Sequence, residues 1–354
     1  MLSTRNIGKL PEEQPKPAQV QQLQSGLWTS KSAAYESALK EIITRRDNPT
    51  GIYNLKTPWS VLNDITFGGI QWQTLNVFAG RPGSGKTLIK DQLLRYATEH
   101  QPNVRILEFQ LEMSGKQHSL RDLSAFMHRP VKELMSYKTD KDTYPLITDE
   151  EINQMKERAQ YMSNRPWNYV TKSPTVQEME HIVTEYRNTY HNESIIIAVD
   201  HGDLISEGSS KSKNDKMYKF CETITSLNIQ LPNITFVVLA QMNRSIEEPS
   251  RMEPGRIGNY PTANDIFGAD AYMQHASLVT CINRPRQSHI AIYGPNKFLI
   301  PVETDSKAMV AWHIIKNRAG VTGMTFFEAH WNEMSMHPCD APPVQEQNIS
   351  TKNK

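Results

Sequence analysis

Three cysteines in 354 residues are few, and Cys221, Cys281 and Cys339 lie far apart. None belongs to a CxxC pair, so neither a disulfide framework nor a zinc knuckle is supported. Long hydrophobic runs are missing as well. The longest, such as Ile195–Val199 and Ile234–Ala240, are strand-sized and far short of the ~20 residues of a membrane helix. The N-terminus lacks the apolar core of a secretory signal. Net charge is nearly absent: 39 Lys and Arg against 38 Asp and Glu leave +1 with neutral histidines. That excludes nucleic-acid binding by bulk basicity and leaves a locally basic groove open. These deficits together describe a soluble protein of a reducing compartment, with no membrane partner.

What is present is an apolar fraction of 38%, enough for one sizeable core with polar sequence left over. The length allows about two domains, or one long α/β domain. Residues 1–29 are rich in Gln and Pro and poor in large apolar groups. They cannot offset their ordering entropy by burial and read as a tail. A second polar tail is expected over 336–354. Ser30 is placed to cap a helix whose apolar positions Ala34, Ala38, Leu39, Ile42 and Ile43 keep the helical period. It ends near Asp47-Asn48-Pro49, where proline disfavours continuation. This segment, 30–49, either packs on its own core or docks on a neighbouring subunit.

From Thr50 the pattern becomes strand, turn, helix, repeated. Short apolar runs at Leu75–Ala79, Val104–Gln110, Ile195–Val199, Ile234–Ala240, Leu278–Ile282 and Ala311–Ile315 suit strands covered on both faces. Helices are expected at Thr87–Ala97, around Gly115–Met127, at Ile152–Met162 and up to about Tyr190. Thr148 with Glu151, and Thr175 with Glu178, carry capping-box spacing ahead of the last two. The fold class is α/β, with a mostly parallel central sheet flanked by helices over residues 50–335.

Gly80-Arg81-Pro82-Gly83-Ser84-Gly85-Lys86-Thr87 fits GxxxxGK[ST] in full and falls between a strand and a helix, the context that confirms a P-loop. Its glycines let amide hydrogens face phosphates at a helix N-terminus. Lys86 can reach the β- and γ-phosphates, and the Thr87 hydroxyl can ligate Mg²⁺. The apolar run Ile195–Val199 ends in Asp200, as an acidic partner for that metal should. Hydrolysis also needs a base for water. Glu112, just past Val104–Gln110, is favoured over Glu108, which lies inside the strand and would face a covered layer or pair structurally. Gln241 ends Ile234–Ala240 where a strand tip would meet the γ-phosphate, or else is a satisfied edge amide. Lys316 and Arg318 follow Ala311–Ile315 and serve either as surface charges or as fingers that stabilise transition-state charge in an adjacent subunit's site.

With these residues in hand, the chain resembles the RecA-like C-terminal motor domain of the DnaB family of replicative hexameric helicases, phage versions included, over about Thr50 to Trp331. Thr50-Gly51-Ile52 and Phe67-Gly68-Gly69-Ile70 resemble the family's run-in to its P-loop. Leu111-Glu112-Met113-Ser114 resembles the segment of its catalytic glutamate, and Asp200 falls on its Walker B aspartate. Ala240 to Ser245, with Gln241 and Arg244, resembles its sensor motif. Lys316-Asn317-Arg318-Ala319-Gly320 resembles the segment carrying its trans-acting cations. Two departures stand out: His201 where the family usually has tyrosine, and Phe267-Gly268 in place of an arginine–glutamate pair, while Gln274 still fits. The helix at 30–46 matches the family's linker helix in position, and the N-terminal collar that contacts primase has no expected counterpart.

The resemblance implies a RecA-like P-loop NTPase that burns ATP with Mg²⁺ as a homo-oligomeric, hexameric ring. It implies single-stranded DNA in the ring centre, a primase or loader as further partner, and the cytoplasm of a bacterium or a phage-infected host. DNA would be gripped by loops after the Walker B and sensor strands. The first, Ser206 to about Lys219, holds Lys211, Lys213, Lys216 and Lys219 against Glu207 and Asp215. The second, Arg244 to Ile257, balances Arg244, Arg251 and Arg256 with Glu247, Glu248 and Glu253. Only the first is basic. Its lysines are either solvated or, repeated around a channel, a phosphate-tracking field without sequence preference. The competing classes are a RecA-like recombinase or helicase loader, and a KaiC-like nucleotide-switched ring.

Overall fold

The computed structural model describes residues 29–48, 53–135, 146–202, 213–251 and 260–345. Two compact units divide the chain, residues 1–51 and 52–354.

The first unit contributes helix α1 (Lys31–Asp47). Ser30 caps it, its Oγ accepting from the Ala33 amide at 3.1 Å. Arg45 and Arg46 in the last turn complement the helix dipole. Tyr35, Leu39, Ile42 and Ile43 are all exposed.

In the second unit the order is α2 (Ser60–Ile65), β1 (Leu75–Gly80), α3 (Lys86–His100), β2 (Val104–Gln110), α4 (Gly115–Met127), the short α5 (Val131–Leu134), α6 (Asp149–Ser163), β3 (Trp167–Val170), α7 (Val176–Thr189) and β4 (Ser194–Asp200). Then come α8 (Lys213–Gln230), β5 (Ile234–Gln241), α9 (Ala269–His275), β6 (Leu278–Asn283), a small hairpin β7 (Ile292–Tyr293) and β8 (Phe298–Leu299), and finally β9 (Lys307–Asn317), β10 (Gly323–His330) and β11 (Ser335–Cys339). One nine-stranded sheet runs β11-β10-β9-β6-β1-β5-β4-β2-β3. From β3 to β6 the pairs are parallel; from β6 to β11 they are antiparallel.

The helices begin where local chemistry says they should. Thr148 and Glu151 close a capping box on α6, Thr175 and Glu178 one on α7, and Ser114 and Gln117 one on α4. Each satisfies amides that a helix start leaves unpaired, for about 1 kcal/mol.

Strand periodicity sorts side chains into two cores. In β1, Leu75, Val77 and Ala79 face one cluster, with Val183 of α7, Phe220 and Ile224 of α8 and Tyr272 of α9. Phe78 faces the other, with Leu62 of α2 and Leu88, Ile89, Leu93 and Leu94 of α3. The sheet is therefore the middle layer of three, and near-continuous apolar strands are what burial on both faces requires.

Two expectations are corrected. Ala311–Ile315 does form a strand, but inside β9, antiparallel to β6. Residues 336–339 are no tail: β11 closes the sheet edge, with Met336 fully buried and its carbonyl accepting from Trp59 Nε1 at 2.8 Å. Trp59 in turn packs edge-on against Trp312, ring centroids 5.0 Å apart. The antiparallel extension is thus tied to the segment that leads into β1.

Candidate nucleotide site

Register places several strand ends together. Gly80 lies opposite Gln241 of β5 and Ile282 of β6, and Gln110 of β2 lies opposite Asp200 of β4. Because neighbours along a strand alternate faces, Glu108, Gln110, Asp200 and Gln241 share the face covered by α3.

Between β1 and α3 the loop Gly80–Thr87 folds tightly. A Cβ on Gly80 would lie 2.4 Å from Ser84 Oγ and 2.8 Å from the Ile282 carbonyl. Gly85 caps α3 at φ +101°, a conformation side chains disfavour. Lys86 Nζ donates to the carbonyls of Gly80 and Arg81 at 2.9 and 3.0 Å. Thr87 Oγ1 donates to Asp200 Oδ2 at 3.2 Å. Ser84 Oγ is buried with no partner among the described residues. The Arg81 guanidinium turns away, bidentate on Glu247 at 2.7 and 3.1 Å and donating to the Met242 carbonyl at 2.9 Å. Arg81 therefore ties the loop to the turn after β5, while its backbone remains part of the cradle. Gln287 donates to the Pro82 carbonyl at 2.8 Å and Arg284 to that of Gly83 at 3.3 Å, so the loop is braced from outside.

Above the loop a cleft of about 390 Å³ is lined by Gly83, Gly85, Lys86, Thr87, Glu112, His201, Gln241, Arg284 and Trp331. The Arg284 guanidinium lies 4.6 Å over the Trp331 ring. Glu112 is exposed, and Glu112, Asp200 and His201 each bring a ligand atom within 4.8 Å of the others. Gln241 Nε2 meets His201 Nε2 at 3.0 Å. The Thr87 hydroxyl and the Asp200 and Glu112 carboxylates are hard oxygen donors, the set that suits Mg²⁺. The residues present fit that ion.

Beneath the cleft sits a charge cluster that sequence reasoning missed. Lys90 is fully buried. It pairs closely with Glu108 and reaches Asp200 Oδ2 at 3.1 Å and Asp91 Oδ1 at 3.2 Å. Burial alone would lower its pKa; Asp91, Glu108 and Asp200 outweigh that and hold it well above the ordinary lysine value. Trp167 Nε1 donates to Glu108 Oε2 at 2.8 Å. His118 Nε2 meets Asp91 Oδ1 at 3.1 Å, and Tyr169 OH meets His118 Nδ1 at 3.0 Å. Burial pulls the His118 pKa down, but Asp91 prevails and leaves it raised. The signal was available: Lys90 follows Lys86 by four, one turn along the same helix face. A third group, His330, Glu333 and His337 on the β10–β11 turn, also brings donors together. Its imidazoles are already engaged by Glu328, Glu333 and Ser335.

Residues 54–335 match the DnaB-like helicase C terminal domain family. The chain belongs to that family. It is 26% identical over 289 residues to the replicative DNA helicase DnaB of Buchnera aphidicola, covering 80% of this chain and 55% of that one. With DnaB of Helicobacter pylori the identity is 24%, over 70% of this chain and 48% of that one. The chain spans about half the length of these curated relatives. Among solved structures, the ATPase domain of a phage helicase superposes with a TM-score of 0.70 at 15% identity, covering 88% of this chain and all of that one. A DnaB-like replicative helicase, solved in a study of its interactions with primase, gives 0.65 at 16%, over 84% and 65%. These two likenesses speak for the fold.

The remaining DnaB-type candidates lie elsewhere. Lys316 and Arg318 are not at this chain's own cleft. Lys316 is level with Val279, and the Arg318 amide donates to the Ser277 carbonyl. Through β6 and β1 this puts Arg318 about five residues, or ~16 Å, from the Gly80 end. Both are held against α9, Lys316 on the Met273 carbonyl and Arg318 on that of Gln274 at 2.8 Å. Burial, then Arg318, lowers the Lys316 pKa.

The basic loop is corrected in part: α8 begins at Lys213, so Lys213, Lys216 and Lys219 ride on a helix, while Lys211 and Arg256 lie outside the described residues. Lysines at a helix start oppose its dipole, so local stability does not explain them. Arg244 is exposed in a single 3₁₀ turn directly after β5. Arg251 is instead paired with Asp265. The departure at Phe267-Gly268 has a local cause. Gly268 starts α9 at φ +74°, and a Cβ there would lie 2.6 Å from Met217.

Proposed function

We propose that this chain is an ATP-driven, DnaB-type helicase motor that moves along single-stranded DNA as a homo-oligomeric ring. The observation that carries the reading is the split between the two halves of its catalytic set. The P-loop, Asp200 and Glu112 converge at one end of the sheet, and Lys316 and Arg318 stand at the other. Such a set is complete only if a neighbouring protomer presents its cations to the cleft.

In this reading the loop amides and Lys86 bind the β- and γ-phosphates. Thr87 and Asp200 hold Mg²⁺, which when bound would neutralise charge shared between those phosphates. Glu112, exposed on the cleft wall, orients water and accepts its proton. Gln241 reads the γ-phosphate, and Arg244 sits three residues further along, so the two ends of one short segment link the fuel to DNA. Lys211, Lys213 and Lys216 would add backbone contacts without sequence preference. Helix α1, with its apolar residues exposed, docks on the next protomer. A primase or loader is the proposed further partner.

The test mixes two dead proteins. Lys86→Ala should abolish ATP turnover outright. Arg318→Ala and Glu112→Gln subunits, each inactive alone, should regain partial ATPase when mixed, because some seams then join an intact cleft to an intact finger. No recovery at any ratio would reject shared sites. Strand displacement on a forked duplex separates a helicase from a recombinase or loader.

A further inference from the structure

Lys90 has no place in the phosphoryl-transfer set just described, yet it is the most completely enclosed charge near the site. It lies one helical turn after Lys86, fully buried, with three carboxylates around one ammonium. Each carboxylate comes from a different direction: Asp91 from α3 itself, Glu108 from β2, Asp200 from β4. Three anions converging in a dry interior repel one another, and a buried charge persists only when paired and hydrogen-bonded. Lys90 is what lets them meet.

The arrangement bears on one oxygen in particular. Asp200 Oδ2 receives both Lys90 Nζ at 3.1 Å and Thr87 Oγ1 at 3.2 Å. Two donors on one oxygen fix the carboxylate's rotation, in an orientation that keeps a ligand atom of Asp200 within 4.8 Å of Glu112 and His201. Lys90 itself is immobilised from behind. Glu108 is anchored by Trp167 at 2.8 Å, and Asp91 by His118 at 3.1 Å. The chain of contacts thus runs from β3 and α4, through Lys90, to the Walker B carboxylate. Groups that hold a metal ligand from behind tune metal affinity as strongly as many ligands do.

We infer that Lys90 is a positioning residue for Mg²⁺: it holds the Asp200 carboxylate in the orientation that receives the ion together with the triphosphate. This rests on the nucleotide-site reading above. It goes beyond that reading by assigning the ion's dependence to a buried lysine that touches neither nucleotide nor metal.

The experiment measures binding of a fluorescent, non-hydrolysable ATP analogue in EDTA and in Mg²⁺, with thermal denaturation alongside. Lys90→Met strands Glu108 and can fail to fold. The double variant Lys90→Met/Glu108→Gln removes the cation together with its closest anion and keeps the pocket balanced. The double variant is expected to bind the analogue in EDTA as the wild type does, and to lose about tenfold or more of the Mg²⁺-dependent gain in affinity. Glu108→Gln alone should keep that gain. A double variant that retains the full gain overturns the inference, and so does a Glu108→Gln protein that loses as much as the double. A wild-type protein with no Mg²⁺-dependent gain would instead sink the underlying site reading, and the inference with it.

Discussion

Two glutamates four positions apart have opposite fates, and the difference is one of face and depth. Glu108 lies in β2 on the layer covered by α3, fully buried and bonded to Lys90 and Trp167. Glu112 lies past the strand end, exposed on the cleft wall. Glu112→Gln should therefore cut ATP turnover by about 10²–10⁴-fold with little change in melting temperature. Glu108→Gln should cost about 1–3 kcal/mol of stability in urea denaturation, because its buried partners lose a charged acceptor. A stable Glu108→Gln protein without turnover, beside an active Glu112→Gln, would hand the base role to Glu108. The P-loop was legible because it is a local backbone motif, whole within eight residues. The Lys90–Glu108 pair was not, since its members come from different elements and meet only once the sheet is built.

Among elements, the joint between α3 and α4 carries a pH signature. His118 of α4 meets Asp91 of α3 at 3.1 Å and is backed by Tyr169 of β3. Burial works against its charge, but Asp91 holds the folded pKa above the ordinary histidine value. A histidine raised on folding stabilises fully below its unfolded pKa, about 6.5, and the contribution is lost as pH rises through the folded value. His118→Gln should accordingly lower the melting temperature more at pH 5.5 than at pH 8.5. A penalty that grows with pH would show that the pair is not charged as described. Capping boxes at Thr148 and Thr175 announced their helices because two residues three apart suffice. Strand direction was not announced: the apolar run Ala311–Ile315 states that both faces are covered and nothing about orientation. Nor does Ser335–Cys339 look like a strand on its own, since its single buried anchor, Met336, gains meaning only from Trp59 and Gln92.

At the scale of the whole molecule, the sheet separates what the reaction must bring together. Triphosphate contacts gather at the tips of β1, β4 and β5, while Arg318 is fastened to the Gln274 carbonyl about 16 Å back along the strands. Swinging that arginine round to its own cleft would require dismantling the β6–β9 pairing. Supplying it to a neighbour requires only that protomers stack with one sheet end against the other. Trans-acting arginines of this kind raise turnover by about 10³–10⁵-fold, so an isolated protomer should bind nucleotide and hydrolyse it very slowly. Specific ATPase activity is then expected to fall steeply as the protein is diluted through its assembly range, in step with the loss of oligomer seen by sedimentation. Arg318→Ala should flatten the curve at the low, diluted level while still assembling. A protein that sediments as a monomer and turns over at one rate from nanomolar to micromolar concentration would mean that each cleft is complete in itself, and Arg318 would revert to a surface charge.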